Sequence, residues 1–172
     1  MSKRKLSAHL RREIMGNIFA GSELVELGVQ IENNGRDFYN TVAKQAKSEK
    51  AKEIFQYLAG EEEKHIVVFG KILDSLEKYE PAESYQGEYF TYMNTLASEQ
   101  IFTQKDKGTQ VAQKTKSDQE AIDLGIGFEK DSIIFYEGMR KVIPEYDHKI
   151  VDELIQQEHK HLKQLSDLKS SL

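Results

Sequence analysis

The sequence predicts an all-α protein, a four-helix bundle made of two antiparallel helical hairpins joined by a long crossover. Apolar residues return at helical spacing in four long segments. Two prolines and eleven glycines in 172 residues leave room for long helices, and the first hairpin is repeated in the second. The length suits one domain with a single core, which we place at residues 22–172.

The composition excludes several classes of site. The chain has no cysteine, so disulfides, thiolate metal sites and iron–sulfur clusters are excluded. Residues 1–21 form a basic N-terminal segment without the apolar stretch of a secretory signal. At a net charge of -5, we interpret this segment as a solvated tail or oligomer contact. No segment is apolar enough to span a membrane. We therefore expect a cytoplasmic protein that binds neither membrane nor nucleic acid.

The first hairpin contains two long helices. Ser22 is a candidate N-cap for the first helix, which we expect to end near Lys47. The second helix is predicted from Ser48 to about Tyr79, before Pro81 stops it. The turn between the two helices is short, so we expect them to pair antiparallel.

The second hairpin begins after a long connection. The sequence from Ser117 to Glu120 is a capping box that starts a third helix, predicted to reach about Gly138. Pro144 marks the start of the fourth helix. The connection over residues 80–116, part of which could be a short helix, suits a crossover along the bundle. A thirty-residue helix is about 45 Å long, and this stretch can cover that distance.

An internal repeat relates the two hairpins. In each, a glutamate on the first helix is followed after five residues by Phe-Tyr, and the second helix carries Glu-x-x-His. One such motif on a charged helix is usually a solvated pair, but here the motif occurs twice in equivalent positions. The shared residues are Glu32, Phe38, Tyr39, Glu62 and His65 in the first hairpin and Glu129, Phe135, Tyr136, Glu158 and His161 in the second.

The repeat predicts a metal site. Residues three apart lie on one face of a helix, so each Glu-x-x-His pair can direct an oxygen and a nitrogen to one point. Four buried carboxylates repel one another strongly unless cations compensate them, and two divalent ions balance four negative charges. The predicted ligands are Glu32, Glu62, His65, Glu129, Glu158 and His161.

The ligand chemistry favours particular metals. Carboxylate oxygen with imidazole nitrogen suits iron first and manganese second, so we expect two Fe ions, with Mn possible. The symmetry of the repeat assigns one ion to Glu32 and His65 and the other to Glu129 and His161, with Glu62 and Glu158 as bridges.

Two repeated tyrosines lie close to the predicted ligands. Tyr39 and Tyr136 each follow a ligand glutamate by seven residues, hence on nearly the same helix face. Each is either an ordinary core tyrosine or a residue that hydrogen-bonds a ligand and guards the site against stray oxidants. His159 points about 200° away from His161 around the helix, so we expect it to be exposed.

At these residues the chain resembles the rubrerythrin and bacterioferritin branch of the ferritin-like superfamily. The resemblance covers about Ser22 to Leu172. The six predicted ligands match that family's set residue by residue, and Tyr39 matches a tyrosine that the family commonly places beside the metals. The resemblance implies a ferritin-like bundle with a non-haem di-iron centre that reacts with hydrogen peroxide or dioxygen.

The chain departs from that family at two points. Full-length rubrerythrins carry a cysteine-bound iron domain, and without cysteine this chain needs an external electron-donor protein. The family often has a further glutamate where this chain has Ser132, which is closer to the symmetrical bacterioferritin set. We expect a homodimeric di-iron peroxidase or oxidoreductase. A ferroxidase, or a non-catalytic metal-binding helical protein, remains an alternative.

Overall fold

The described part of the chain is helical. The computed structural model describes residues 21–78, 88–99, 101–141, 143 and 145–172. These residues form α1 (Gly21–Gln45), α2 (Glu49–Lys78), α3 (Glu88–Glu99), a 3₁₀ turn (Ile101–Thr103), α4 (Lys107–Ala112), α5 (Asp118–Met139) and α6 (Glu145–Lys169). They contain no strand, so the predicted all-α class is confirmed. None of the described helices combines the length and hydropathy of a membrane span.

Contacts between helix ends define the directions of the four long helices. The carboxylate of Asp118, at the start of α5, accepts hydrogen bonds from the backbone N–H groups of Lys47 and Ser48 after α1. Lys50, at the start of α2, donates to Ser171 after α6. Helix α1 is therefore antiparallel to α5, and α2 to α6. Because α1 and α2 are joined by a short turn, α2 and α5 run parallel, as a lengthwise crossover requires.

Two of the predicted helix starts are capped. The Ser48 hydroxyl accepts from the N–H of Ala51 at 3.3 Å. The Ser117 hydroxyl accepts from the N–H of Glu120 at 3.1 Å, and the Glu120 carboxylate accepts from the N–H of Lys116 at 2.8 Å. These bonds satisfy N–H groups that have no partner within a helix's first turn. Local sequence therefore sets where α2 and α5 begin.

The prediction for the start of the first helix is wrong. Ser22 lies inside α1, which already includes Gly21, and so does not cap it. The predictions made for the basic segment at residues 1–20, and for Pro81 and Pro144 as helix boundaries, lie outside the described residues.

The crossover is held against α1 by a buried asparagine. Asn34 donates through Nδ2 to the carbonyl oxygens of Phe102 and Gln104, at 2.6 and 2.7 Å. Its Oδ1 accepts from the N–H of Gly108 at 3.0 Å. A Cβ on Gly108 would lie 2.0 Å from the backbone oxygen of Asn34, so only glycine allows this approach. The part of the connection from Phe102 to Gly108 is thus packed against α1.

Aromatic packing extends the core into the crossover. Phe102 stacks on Phe128 of α5 with ring centroids 3.7 Å apart. Phe38 of α1 contacts both rings, at 5.9 and 5.1 Å. Phe38 is fully buried. The crossover therefore packs over the groove between α1 and α5.

Replacing Asn34 with alanine is expected to destabilise the fold by about 3 kcal/mol, because it leaves three backbone groups of the crossover without their partner. Urea unfolding followed by circular dichroism measures the change. The matched control is Asn33→Ala, which removes a single bond to the carbonyl of Val29 on the same helix and should cost less than about 1.5 kcal/mol. Equal losses in the two variants would contradict this role of Asn34.

Candidate metal centre

Six buried polar side chains meet inside the bundle, contributed by all four long helices. Each is no more than 4% exposed. Their donor atoms form two groups, within each of which the atoms lie no more than 4.8 Å apart, and the groups share two glutamates. The first group is Glu32, Glu62, His65 and Glu158; the second is Glu62, Glu129, Glu158 and His161. The structure divides the donors in the same way as the symmetry of the repeat.

The first group is the more compact around its histidine. His65 Nδ1 lies 2.9 Å from Glu158 Oε1, 3.2 Å from Glu62 Oε2 and 3.3 Å from Glu32 Oε2. Glu62 precedes His65 by one helical turn, so both side chains leave α2 on one face. Glu32 and Glu158 approach from the neighbouring helices.

The second group is looser. His161 Nδ1 lies 3.1 Å from Glu158 Oε2 and 3.8 Å from Glu129 Oε2. The imidazole rings of His161 and His65 stack at 5.4 Å with an angle of 21° between their planes. The two groups therefore lie side by side, with Glu158 in contact with both histidines.

The donor atoms fit a cation better than they fit one another. His65 Nε2 lies 2.9 Å from Gln157 Oε1. An amide oxygen only accepts, so in the neutral imidazole Nε2 carries the hydrogen and Nδ1 has a lone pair. His65 Nδ1 and Glu158 Oε1 are both buried, and neither has a hydrogen-bond partner among the described residues. With the imidazole neutral, two acceptors would face each other away from water, so this pair needs either a proton or a cation between its atoms.

Electrostatics show the cost of the cluster without metal. Burial, and then the charge of neighbouring carboxylates, raises the pKa of Glu62, Glu129 and Glu158. Burial acts the same way on Glu32, but the charge of His65 and three hydrogen bonds lower its pKa. Burial opposes protonation of His65, yet Glu32 and the other carboxylates raise its pKa far above the ordinary value. The metal-free cluster therefore holds protons that bound metal ions would have to displace.

Each repeated tyrosine reaches a glutamate of the other hairpin. The Tyr39 hydroxyl donates to Glu129 Oε1, and the Tyr136 hydroxyl donates to Glu32 Oε1. Both tyrosines are buried. Burial and the charge of the accepting glutamate raise both tyrosine pKa values, so both phenols stay protonated and act as donors. The structure thus places both side chains in the core and in contact with the cluster.

The sequence does not predict two contacts of the cluster. Gln157 lies one residue before Glu158. No periodic pattern in the sequence distinguishes Gln157 from Gln156, its exposed neighbour. Gly125 lies one helical turn before Glu129, and a Cβ there would come within 3.3 Å of the Tyr39 hydroxyl oxygen. Both copies of the repeat have a glycine at this position, Gly28 and Gly125. This shared glycine is the sequence feature that could have predicted the close approach.

Two further residues lie near the cluster in sequence. His159 is exposed, as predicted. Ser132, which occupies the position of the additional family glutamate, is buried and 9% exposed. Ser132 adds no carboxylate there, so the acidic donors of the described cluster are the four glutamates of the repeat.

The metal-free protein is expected to lose stability as the pH rises from 6.5, the ordinary histidine pKa, to about 9. Because the pKa of His65 is raised, the folded state keeps a proton that the unfolded state releases, so the free energy of unfolding falls with pH. Burial lowers the pKa of His161, which acts in the opposite direction only below 6.5.

Urea unfolding of chelator-treated protein at several pH values measures this slope. His65→Gln should flatten it, whereas His159→Gln, at an exposed position of α6, should leave it unchanged. A free energy of unfolding that rises over this pH range would contradict the electrostatics described for the cluster.

Comparisons with known proteins agree with the fold and the site. The sequence profile of the rubrerythrin family matches residues 23–169, which is most of the chain. One similar solved structure is described as a ferritin-like diiron-carboxylate protein from Thermotoga maritima, with 24% sequence identity and a TM-score of 0.64. The match covers 90% of this chain and 97% of that chain, and it supports the ferritin-like fold. No curated protein matches the chain significantly.

The extent of the family match and the buried Glu/His cluster lead to one conclusion. The cluster has the carboxylate and imidazole donors of a di-iron protein, contributed by all four long helices. The bundle has the ferritin-like architecture predicted from the repeat. This chain belongs to the rubrerythrin family.

Proposed function

We propose that this protein is a non-haem di-iron oxidoreductase of the rubrerythrin type. It reduces hydrogen peroxide, or dioxygen, with electrons from a separate donor protein. The observation that carries the proposal is the pair of overlapping buried donor groups, which share Glu62 and Glu158 and in each of which the donor atoms lie within 4.8 Å of one another. Such a site suits two cations that share bridging carboxylates.

The residues that would hold the metals are the six of the repeat. Glu32 and His65 would bind one ion, Glu129 and His161 the other, and Glu62 and Glu158 would bridge them. Two bound iron ions would supply the two electrons that cleave the O–O bond of peroxide. Iron is preferred to manganese on ligand chemistry, and metal analysis distinguishes the two.

The chain itself contributes protonated groups and a water-poor environment. Reduction of hydrogen peroxide to two waters consumes two electrons and two protons. Tyr39 and Tyr136 hold phenolic protons one hydrogen bond away from Glu129 and Glu32. Phe55 stacks on the Tyr39 ring at 6.2 Å, and both rings are buried. Such shielding limits side reactions of a reduced centre with water and stray oxidants.

The electrons for this reaction are proposed to come from a separate protein. Without cysteine, this sequence has no ligands for a rubredoxin-type iron site. The proposal therefore includes an external donor protein, and also a homodimer, which the mass in solution tests directly.

A second candidate function is oxidation of Fe(II) for iron handling. The near-symmetry of the two donor groups favours it, because both positions then offer an incoming ion the same ligand types. The two functions differ in stoichiometry. A ferroxidase consumes many Fe(II) ions per centre, whereas a peroxidase needs only its resident pair and a donor.

Protein purified without added metal is expected to contain about two iron ions per chain, and the anaerobically reduced form should be reoxidised rapidly by hydrogen peroxide. Glu129→Ala should slow this reaction by about tenfold or more, since even changes outside the ligand shell cost that much. The matched control is Glu153→Ala, an exposed position on α6. Stopped-flow absorbance measures the rates.

Three results separate the functions. If peroxide reoxidises the wild type no faster than Glu129→Ala, the peroxidase function fails. Faster reaction with dioxygen than with peroxide would assign dioxygen as the substrate. Continued turnover with excess Fe(II) and no donor would favour the ferroxidase.

Tyr39→Phe is expected to lower the free energy of unfolding by about 1–2 kcal/mol, because it removes one buried hydrogen bond to a carboxylate and keeps the ring. It should also slow reoxidation by peroxide. Tyr146→Phe, at a side chain of α6 that is 55% exposed, should leave the reoxidation rate unchanged. An unchanged reoxidation rate in Tyr39→Phe would show that the Tyr39 hydroxyl has no role in the reaction and that the residue acts only in packing.

A further inference from the structure

Gln157 connects the metal cluster to the layer of residues around it. It lies on α6 directly before Glu158 and is partly buried. Its Oε1 is 2.9 Å from Nε2 of His65, on α2. The contact crosses the interface between two helices whose residues are 92 positions apart in sequence.

This contact selects one orientation of the His65 ring. With Nε2–H donated to the amide oxygen, the remaining ring nitrogen is an acceptor. That nitrogen, Nδ1, is the atom that faces the carboxylates of Glu32, Glu62 and Glu158 within 3.3 Å. Gln157 therefore holds the imidazole in the tautomer and rotation that a metal at this position requires.

In the other half of the repeat, the described residues contain no equivalent hydrogen bond. The repeat equates Gln157 with Glu61, and His65 with His161. Glu61 is instead paired with Lys64 on its own helix, with Nζ and Oε1 2.5 Å apart. Among the described residues no hydrogen bond joins His161 Nε2 to Glu61, although the negative charge of Glu61 opposes the lowering of the His161 pKa by burial. The His161 ring meets the edge of Tyr57, with centroids 6.5 Å apart. The two histidines are alike as ligands but differently supported.

The carboxylate oxygens also lie closer to His65 Nδ1 than to His161 Nδ1. The carboxylate oxygens around His65 Nδ1 lie between 2.9 and 3.3 Å away, whereas those around His161 Nδ1 lie at 3.1 and 3.8 Å. A preorganised donor set loses less side-chain freedom when it binds a metal. The half with the bonded histidine is the better organised of the two.

We propose that Gln157 is a positioning residue for His65, and that it makes the metal position beside His65 bind more tightly than the position beside His161. This inference rests on the two-metal site of the proposed function. It concerns the order and affinity of metal loading, and no assignment of the six ligands by themselves predicts it.

Titration of the metal-free protein with Zn²⁺, a redox-inert probe, tests the inference by calorimetry in the presence of a competing chelator. The wild type should bind two ions in two steps of unequal affinity. Gln157→Leu should weaken the tighter step by about tenfold or more and leave the weaker step unchanged. Gln156→Leu, at the exposed neighbouring position, is the matched control and should bind as the wild type does. His65→Ala and His161→Ala assign the steps.

A conservative variant and a spectroscopic measurement separate positioning from general packing. In Gln157→Glu a carboxylate oxygen can accept the same Nε2–H, so this variant should retain the tight step. In nitrogen-15 NMR spectra of the zinc-loaded wild type, the His65 Nε2–H should be protected from solvent exchange. That protection should be lost in Gln157→Leu and kept in Gln157→Glu.

The outcomes are distinguishable. Two zinc affinities that are unchanged in Gln157→Leu overturn the inference and leave the proposed function intact. Equal weakening of both steps, with a lower melting temperature of the metal-free variant, also overturns it, because the residue then acts through overall packing. A wild type that binds no pair of ions overturns the proposed function, and this inference falls with it.

Discussion

The burial of four glutamate side chains in one cluster is the constraint on which the rest of this structure depends. Carboxylates brought together away from water repel one another and lose their hydration, and burial raises the pKa of three of the four. Positive charge relieves both effects. The chain supplies part of it through a protonated His65 when metal is absent, and two divalent ions would supply it fully. Because all four long helices contribute donors, helix depth and rotation must satisfy the cluster as well as the apolar core.

The internal repeat gives the two halves of the cluster the same ligand types but different surroundings. Tyr39 and Tyr136 preserve the symmetry, since each donates to a glutamate of the opposite hairpin and so ties the hairpins together. The residues next to the two histidines do not preserve this symmetry. Gln157 supports His65 across the α2–α6 interface, whereas Glu61 pairs with Lys64 on its own helix. Under our proposal, this difference makes the two metal positions unequal through a residue that itself binds no metal.

The crossover adds to the bundle more than a connection between parallel helices. Asn34 binds three of its backbone groups from α1, two residues beyond Glu32. Phe102 brings an aromatic ring from the crossover onto Phe38 and Phe128. The helices that carry Glu32 and Glu129 are therefore both in contact with the crossover.

The sequence by itself determined the all-α class, the two hairpins, the start of α5 at its capping box and the residues that the cluster brings together. Helical periodicity, capping and i,i+3 spacing act over a few residues, so they can be read locally. Ser22 shows the limit of such reading, because a residue suited to a cap can also lie within a helix. Only the tertiary structure decided the contacts of Gln157 with His65, Tyr39 with Glu129 and Asn34 with the crossover. Each joins residues at least 68 positions apart, and such contacts depend on how neighbouring helices rotate and align in depth, which no local pattern specifies.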